Sequence, residues 1–193
     1  MSALTKEDYT MLEAGDRAPS FALPSDSGKN VALQDFAGKT LVVYFYPKDN
    51  TPGCTREAQA FTKLLGAFRK VGADVVGISK DSVASHCNFR DKLGLKVPLL
   101  SDPELATHKA YGAWGEKTMY GKKVTGVIRS TFIVGPDGRL QRVYRSVKVD
   151  GHAEAVLAEI SGGAKTKPKS KPAAKARPAK KAAAKRKGSG GRR

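Results

Sequence analysis

Residues 41–57 read LVVYFYPKDNTPGCTRE, and this stretch decides the fold. Leu41–Tyr46 is an uninterrupted run of β-branched, aliphatic and aromatic residues, which is typical of a strand buried on both faces. A loop rich in Pro, Asp and Asn follows it. Thr51 then suits the N-cap of a helix and Pro52 suits its first position. The stretch therefore predicts a strand, a loop and a helix, with Cys54 in the first turn of that helix.

Alternating strands and helices extend outward from this stretch. The helix is predicted to run from Cys54 to about Val71, because apolar residues recur there at helical spacing. Such alternation favours an α/β fold, in which ligand chemistry lies at the carboxyl ends of the strands. The other predicted strands are Ala73–Ser79, Val97–Leu100, a hairpin of Ser130–Val134 with Arg139–Ser146, and a small N-terminal hairpin of Ser20–Leu23 with Asn30–Leu33; the other predicted helices are Asp81–Leu93, Asp102–Tyr111 and Gly151–Ile160.

Cys54 is the first candidate for chemistry. The free N–H groups and partial positive charge of a helix start favour a thiolate over a thiol, and the thiolate is the nucleophilic form. Arg56 lies close in sequence, and a second arginine from elsewhere in the chain is expected to reach the site. Position alone leaves two interpretations open: Cys54 is a reactive thiol, or it is a small helix-start residue without chemical consequence.

Six segments in order along the chain resemble one family. Pro47, Thr51 and Cys54 match the Pro-x-x-x-Thr-x-x-Cys signature of peroxiredoxins, and FYPKDNTPGCTREA at 45–58 resembles their bacterioferritin comigratory protein, or Q-type, subgroup. Six ordered motifs are far more specific than one. The resemblance covers about residues 11–160, and its other segments are GDRAPSFALPSDSG (15–28), SVASHCNF (82–89), PLLSDP (98–103), YGAWGEKTMYGK (111–122) and RSTFIVGPDG (129–138).

The resemblance implies a thioredoxin-like fold, a central mixed sheet flanked by helices, and a role for each matching residue. Cys54 would attack a hydroperoxide and become a sulfenic acid. Thr51 would hydrogen-bond the thiolate and the peroxide, and Arg129 would stabilise the thiolate and polarise the O–O bond. Pro47 would shield the pocket from water, and Glu57 would orient the arginine. No cofactor or metal is implied; the implied partners are a hydroperoxide and a thiol reductant, usually thioredoxin.

The second cysteine departs from the family pattern. Many Q-type members have a resolving cysteine five residues after the peroxidatic one, and this chain has Gln59 there. Others place it just after a Ser-His-x-x-Phe motif, where this chain has Arg90. Cys87 lies three residues earlier, close to one helical turn, so Cys87 and Arg90 are expected on one face. Our hypothesis is that Cys87 resolves Cys54 after local unfolding; the alternative is a one-cysteine enzyme reduced by an external thiol.

The charge is concentrated at the C-terminal end. Residues 164–193 contain 13 of the 35 Lys and Arg and none of the 18 Asp and Glu. They have no aromatic or large aliphatic residue, so we predict a disordered tail after a domain at 1–163. Such a concentration of positive charge favours binding to nucleic acid. The location would be a bacterial nucleoid or, in a eukaryote, the nucleus after import. The alternative is a solvated tail without a dedicated partner. The densest cluster is Lys180, Lys181, Lys185, Arg186 and Lys187.

Several classes of protein fit less well. Two cysteines are too few for a disulfide scaffold, no spacing suggests a metal site, and a thiol–disulfide oxidoreductase would usually have a CxxC motif. A DNA-associated protein that has lost peroxidase activity is disfavoured because the matching residue set is complete. No apolar run suits a membrane span or a signal peptide, so we expect a cytoplasmic protein. The resemblance to Q-type members, which are often monomers, implies a monomer. His86, His108 and His152 are expected to be ordinary surface or helix residues.

Overall fold

The computed structural model describes residues 11–119 and 121–163, and the predicted tail at 164–193 lies outside them. Among the described residues, no helix is both long and apolar enough to cross a lipid bilayer. The strands are β1 (Ala22–Pro24), β2 (Asn30–Ala32), β3 (Thr40–Phe45), β4 (Ala73–Ser79), β5 (Leu99–Ser101), β6 (Trp114–Met119), β7 (Lys122–Val127), β8 (Ser130–Val134) and β9 (Leu140–Arg145). The helices are α1 (Pro52–Lys70), α2 (Val83–Leu93), α3 (Ala106–Ala110) and α4 (His152–Gly163), and a 3-10 turn spans Leu33–Phe36.

The apolar run at 41–46 forms the middle of a five-stranded mixed sheet in the order β5-β4-β3-β8-β9. β3 runs parallel to β4 and antiparallel to β8, so that Val43 lies between Val76 and Phe132. β4 also pairs in parallel with β5, and β8 pairs in antiparallel with β9. Both faces of β3 are covered, which is why its sequence shows no alternation of polar and apolar residues.

Helices cover both faces of this sheet. One face of β3 packs with α1, α2 and α4 in a core that includes Phe61, Phe89 and Val156. The other face contributes Phe45 to a second core, where Tyr111 and Phe132 stack edge-on. The arrangement is the thioredoxin-like fold expected from the sequence, and the carboxyl ends of β3, β4 and β5 meet at one edge, where the loop to α1 begins.

Most predicted elements are confirmed, and β4 and β8 have the predicted bounds. α3 is shorter than predicted, because Leu105 adopts a left-handed backbone (φ 62°) and the Asp102 carboxylate accepts the backbone N–H of His108 at 2.9 Å. The hairpin of β6 and β7 was not predicted. It forms a separate antiparallel pair, and its residues alternate weakly in polarity, which gives little sequence signal.

Candidate active site

The start of α1 places Cys54 as the sequence predicts. Thr51 is the N-cap with an extended backbone (φ −94°, ψ 149°) and Pro52 is the first helical residue. The backbone N–H of Thr55 closes the first turn on the Thr51 carbonyl at 2.8 Å. Cys54 is only 2% exposed, and its backbone N–H belongs to the first turn, where such groups have no partner within the helix. The thiol therefore lies in a dry environment at the positive end of a helix.

Arg129, which follows Cys54 by 75 residues in the sequence, contacts this thiol. The antiparallel register pairs Phe45 with Ser130, so Arg129 lies beside the end of β3 where the loop to α1 begins. Its Nη2 lies 3.2 Å from the Cys54 Sγ and donates to it. A Cβ atom on Gly53 would lie 3.4 Å from the same nitrogen, an ordinary contact distance, so the guanidinium packs closely against the start of α1.

Glu57 holds the other side of the guanidinium. Its Oε2 accepts from Arg129 Nη1, and the residue is 2% exposed. Its Oε1 is buried and, among the described residues, has no hydrogen-bond partner. Burial raises the pKa of Glu57 from 4.5 to about 7, although the charge and hydrogen bond of Arg129 act in the opposite direction. Cys54, Arg129 and Glu57 thus form one connected group.

The remaining predicted residues lie in or near the loop. The Thr51 hydroxyl donates to the Lys48 carbonyl at 3.1 Å rather than to the sulfur, and it makes no capping bond to the described helix. Pro47 is half-buried beside it. Arg56 is exposed and pairs with Asp150 at 3.0 Å, so the guanidinium that contacts the thiol is that of Arg129.

Cys87 lies in a different environment, on the second turn of α2. Its Sγ donates to the backbone carbonyl of Asp26 at 3.1 Å, and the residue is half-buried. Arg90 Nη1 donates to the same carbonyl at 2.6 Å and to the Asp26 carboxylate at 3.1 Å. Cys87 and Arg90 therefore share a face of α2, as their spacing predicts. Both cysteines are described, and they are not joined to each other.

The three histidines lie in helices, as one part of the expectation has it, but the expectation that they are surface residues is wrong. His86 and His108 are 0% exposed and His152 is 8% exposed. Sequence offers no local signal for this burial, because two of their polar partners are distant in the chain. Burial, helped by the nearby charge of Arg129, lowers the pKa of His152 to about 4, so this ring is neutral at physiological pH. The partners are Asp49 for His86 at 2.8 Å, Asp102 for His108 at 2.7 Å and Thr131 for His152 at 2.8 Å.

Comparison with known proteins identifies the family of the chain. The model of the AhpC/TSA family matches residues 14–143. Peroxiredoxin Bcp of Xanthomonas campestris is 49% identical over 150 residues, which cover 77% of this chain and 94% of that protein. Peroxiredoxin Bcp of Escherichia coli K12 is 40% identical over 146 residues, covering 76% of this chain and 94% of that protein.

Solved structures give the same result. Peroxiredoxin Q of Xanthomonas campestris superposes with a TM-score of 0.71 at 48% identity, covering 75% of this chain and 92% of that one. Another structure of that organism's bacterioferritin comigratory protein, described as a trapped intermediate and ligand complex bearing on alkyl peroxide reduction, has the same scores. Peroxidoxin BcpB of Mycobacterium tuberculosis gives a TM-score of 0.69 at 33% identity over 78% of this chain and 97% of that one.

A buried thiol at a helix start, held by an arginine on a thioredoxin-like sheet, defines a thiol peroxidase. The chain belongs to the AhpC/TSA family, and within it to the peroxiredoxins of the bacterioferritin comigratory, or Q, type.

Proposed function

We propose that this peroxiredoxin reduces hydrogen peroxide and organic hydroperoxides at Cys54. The thiolate sulfur attacks the terminal oxygen of the hydroperoxide, an S–O bond forms and the O–O bond breaks. The sulfur is oxidised to a sulfenic acid, and the peroxide leaves as an alcohol, or as water, after taking up a proton. The observation that carries this proposal is the 3.2 Å contact from Arg129 Nη2 to the Cys54 Sγ in a buried site.

In this proposal, the other residues of the site stabilise negative charge, position the peroxide or limit the entry of water. Arg129 stabilises the thiolate and the negative charge that develops as the O–O bond breaks, and it does so best in a site that excludes water. Glu57 fixes the guanidinium plane. Thr51 turns its hydroxyl from the Lys48 carbonyl to the incoming peroxide, and Pro47 limits the entry of water.

Cys87 is our candidate for the resolving thiol. Its sulfur attacks the sulfenic sulfur of Cys54, an S–S bond forms, the S–O bond breaks, and the hydroxyl leaves as water with the thiol proton. Thioredoxin then reduces the disulfide and becomes oxidised itself. The hydrogen bond from the Cys87 Sγ to the Asp26 carbonyl must break in this step, and in this proposal local movement of α2 or the β1–β2 turn brings the two sulfurs together. The alternative is that an external thiol reduces Cys54 directly.

Peroxide consumption with a thioredoxin system tests both parts. Wild type should turn over, and Cys54→Ser should not; full activity in Cys54→Ser would overturn the peroxidase proposal. Cys87→Ser should be oxidised once at a normal rate and then stop. Non-reducing mass spectrometry of tryptic peptides should find a Cys54–Cys87 link in wild type. Sulfenic acid alone, or a dimer linked through Cys54, would instead favour the one-cysteine mechanism.

A second proposed function concerns residues 164–193, which we take as a tail appended to the peroxidase domain at 1–163. Its 13 Lys and Arg without an acid favour binding to nucleic acid without sequence preference, by neutralising phosphates and releasing counterions. We propose that the tail concentrates a cytoplasmic, monomeric peroxidase near DNA, as in a bacterial nucleoid, so that peroxide is removed where it would damage bases.

Filter binding at several salt concentrations tests the tail. The full chain should bind duplex DNA at low salt with a steep salt dependence, and a chain ending at Gly163 should not bind. A matched control replaces Lys180, Lys181, Lys185, Arg186 and Lys187 with Gln in the full chain, and it should show a shallower salt slope because fewer counterions are released. Equal affinity of the full and shortened chains at low salt would overturn this proposal.

A further inference from the structure

A buried carboxylate lies inside the loop that leads to Cys54. Asp49 is 4% exposed and precedes Cys54 by five residues. Its Oδ1 accepts the Tyr46 hydroxyl at 2.7 Å. Its Oδ2 accepts the Ser85 hydroxyl at 2.7 Å and lies 2.8 Å from His86 Nδ1. Ser85 and His86 belong to α2, so the carboxylate joins the loop to that helix.

The second ring nitrogen of His86 also faces an acceptor. His86 is 0% exposed, and its Nε2 lies 3.2 Å from the Leu100 carbonyl in β5. A neutral imidazole has one N–H, whereas the imidazolium has two. Asp49 and His86 form a buried, hydrogen-bonded pair, and an imidazolium, unlike a neutral ring, would donate to both the Asp49 carboxylate and the Leu100 carbonyl. That pair connects the loop, α2 and β5.

The electrostatics of Asp49 agree with such a pair. Burial alone would raise the pKa of Asp49, but hydrogen bonds from His86 and Ser85, together with the charge of His86, outweigh it and hold the pKa below its ordinary value. The backbone N–H of Asp49 also donates to the Asp81 carboxylate at 2.8 Å. Buried pairs of ionisable groups add little net stability compared with apolar packing. The expected contribution of Asp49 and His86 is therefore the position in which they hold the loop.

The loop that carries Asp49 changes direction just before α1. Asn50 has a left-handed conformation (φ 57°), and it separates Asp49 from the N-cap Thr51. Residues 46–51 lie between β3 and α1, and the side chain of Asp49 links them to Ser85 and His86 of α2, in addition to the backbone bonds of Tyr46 to Ile78 and of Asp49 to Asp81.

We propose that Asp49 and His86 are positioning residues of the peroxidase site: their buried pair holds the loop at 46–51 so that Pro47 and Thr51 are correctly placed beside Cys54. Neither residue touches the peroxide in this proposal, which rests on the proposed peroxidase function. A displacement of about 1 Å at a reacting centre costs as much as a hundredfold in rate, so a loop that has lost this pair should be a poor site.

Two substitutions of one histidine separate positioning from stability. The amide nitrogen of Asn lies near the place of Nδ1, and that of Gln lies near the place of Nε2. His86→Asn therefore keeps the donor to Asp49, and His86→Gln keeps the donor to Leu100; each loses one hydrogen bond. Stopped-flow oxidation of Cys54 by hydrogen peroxide in a single turnover should be slowed less than about threefold in His86→Asn and at least about tenfold in His86→Gln.

A second readout excludes a general loss of structure. Alkylation of Cys54 by iodoacetamide depends on Arg129 and the helix start, which both variants retain, so its rate should change less than about twofold. Equal oxidation rates of the two variants, or parallel losses in oxidation and alkylation, would overturn the proposal. If neither histidine variant folds, Ser85→Ala removes one donor to Asp49 and should slow oxidation about threefold, and a wild-type rate there would overturn it.

The same measurement distinguishes failure of this inference from failure of the proposed function. Wild-type Cys54 that reacts with peroxide no faster than free cysteine would overturn both. Fast wild-type oxidation together with equally fast His86→Gln oxidation would overturn only the positioning role.

Discussion

The two cysteines of this chain face groups of opposite polarity. The sulfur of Cys54 faces a donor, the guanidinium of Arg129, whereas the sulfur of Cys87 faces an acceptor, the carbonyl of Asp26. A positively charged donor stabilises a thiolate, and a carbonyl oxygen stabilises a thiol that donates to it. Exposure runs the other way, because Cys54 is buried and Cys87 is half-buried. The comparison teaches that the polarity of the nearest group, rather than access to solvent, should decide which thiol reacts with peroxide.

The largest expected effect separates the two thiols directly. A chain with only Cys54 (Cys87→Ser) should react with hydrogen peroxide at least about 10³-fold faster than a chain with only Cys87 (Cys54→Ser), because only the first sulfur has preorganised donors. Stopped-flow kinetics give the rates, and trapping of sulfenic acid with dimedone followed by mass spectrometry gives the site. Rates within about tenfold of each other would break the comparison.

Removing the Arg129 donor should lower the rate at which peroxide oxidises Cys54 toward the rate expected for Cys87. Arg129→Gln should slow oxidation about 10²-fold, because the guanidinium charge at the sulfur is lost. The single variant also leaves the buried Glu57 without its partner, so the matched control is the double variant Arg129→Gln/Glu57→Gln. The double variant should recover stability but not rate; recovery of rate would show that the arginine acts only on folding.

Glu57, which contacts Arg129 at the Cys54 site, should make the free energy of unfolding depend on pH, whereas the described contact of Cys87 is a backbone carbonyl, which does not titrate. Its pKa is 4.5 ordinarily and about 7 in the folded chain. Between these values the folded state keeps a proton that the unfolded state has released, so stability is highest below the lower pKa and falls as pH rises. Relative to Glu57→Gln, the free energy of unfolding of wild type should fall by about 3 kcal/mol over this range. Urea unfolding at pH 4.5, 6 and 7.5 checks it, and parallel curves would contradict it.

The smallest effect concerns the surroundings of Cys87. Arg90 holds the β1–β2 turn against α2 through the Asp26 carbonyl and carboxylate. Arg90→Gln should loosen the turn and raise the labelling rate of Cys87 by a thiol reagent about threefold, a modest change because the pair is partly solvated. The rate at Cys54 in the same sample is the internal control. Equal acceleration at both cysteines would indicate general loosening instead.

Some of this arrangement follows from sequence and some does not. β4 and β8 were predicted to the residue because apolar runs between turns leave few alternatives. Cys54 is a candidate from its helix-start position alone, but Arg129 and Glu57 could be named only through family resemblance, because the contacts of Arg129 with Glu57 and Cys54 span 72 and 75 positions in the chain. The hairpin of β6 and β7 has too weak an alternation to be predicted.

The buried polar residues show most clearly which contacts a local sequence pattern does not predict. The sequence favours an ordinary surface or helix residue at His86; it lies in α2 but is fully buried. Its partner Asp49 lies 37 residues earlier, so the need for burial comes from a loop that no local pattern connects to α2. The hydroxyl of Thr51 was expected at the sulfur, yet the nearby Lys48 carbonyl is its partner in this structure.

The pairing of β3 with β8 has a consequence for the chain as it is made. Arg129 comes to Cys54 only when Phe45 and Ser130 are in register, and Cys54 precedes Arg129 by 75 residues. During synthesis, the thiol therefore leaves the ribosome well before its arginine exists. A nascent or unpaired chain has an ordinary cysteine, which is protected from peroxide by its own slowness. Fast reaction of Cys54 with peroxide should therefore begin only when β8 has paired with β3, and it should report that pairing.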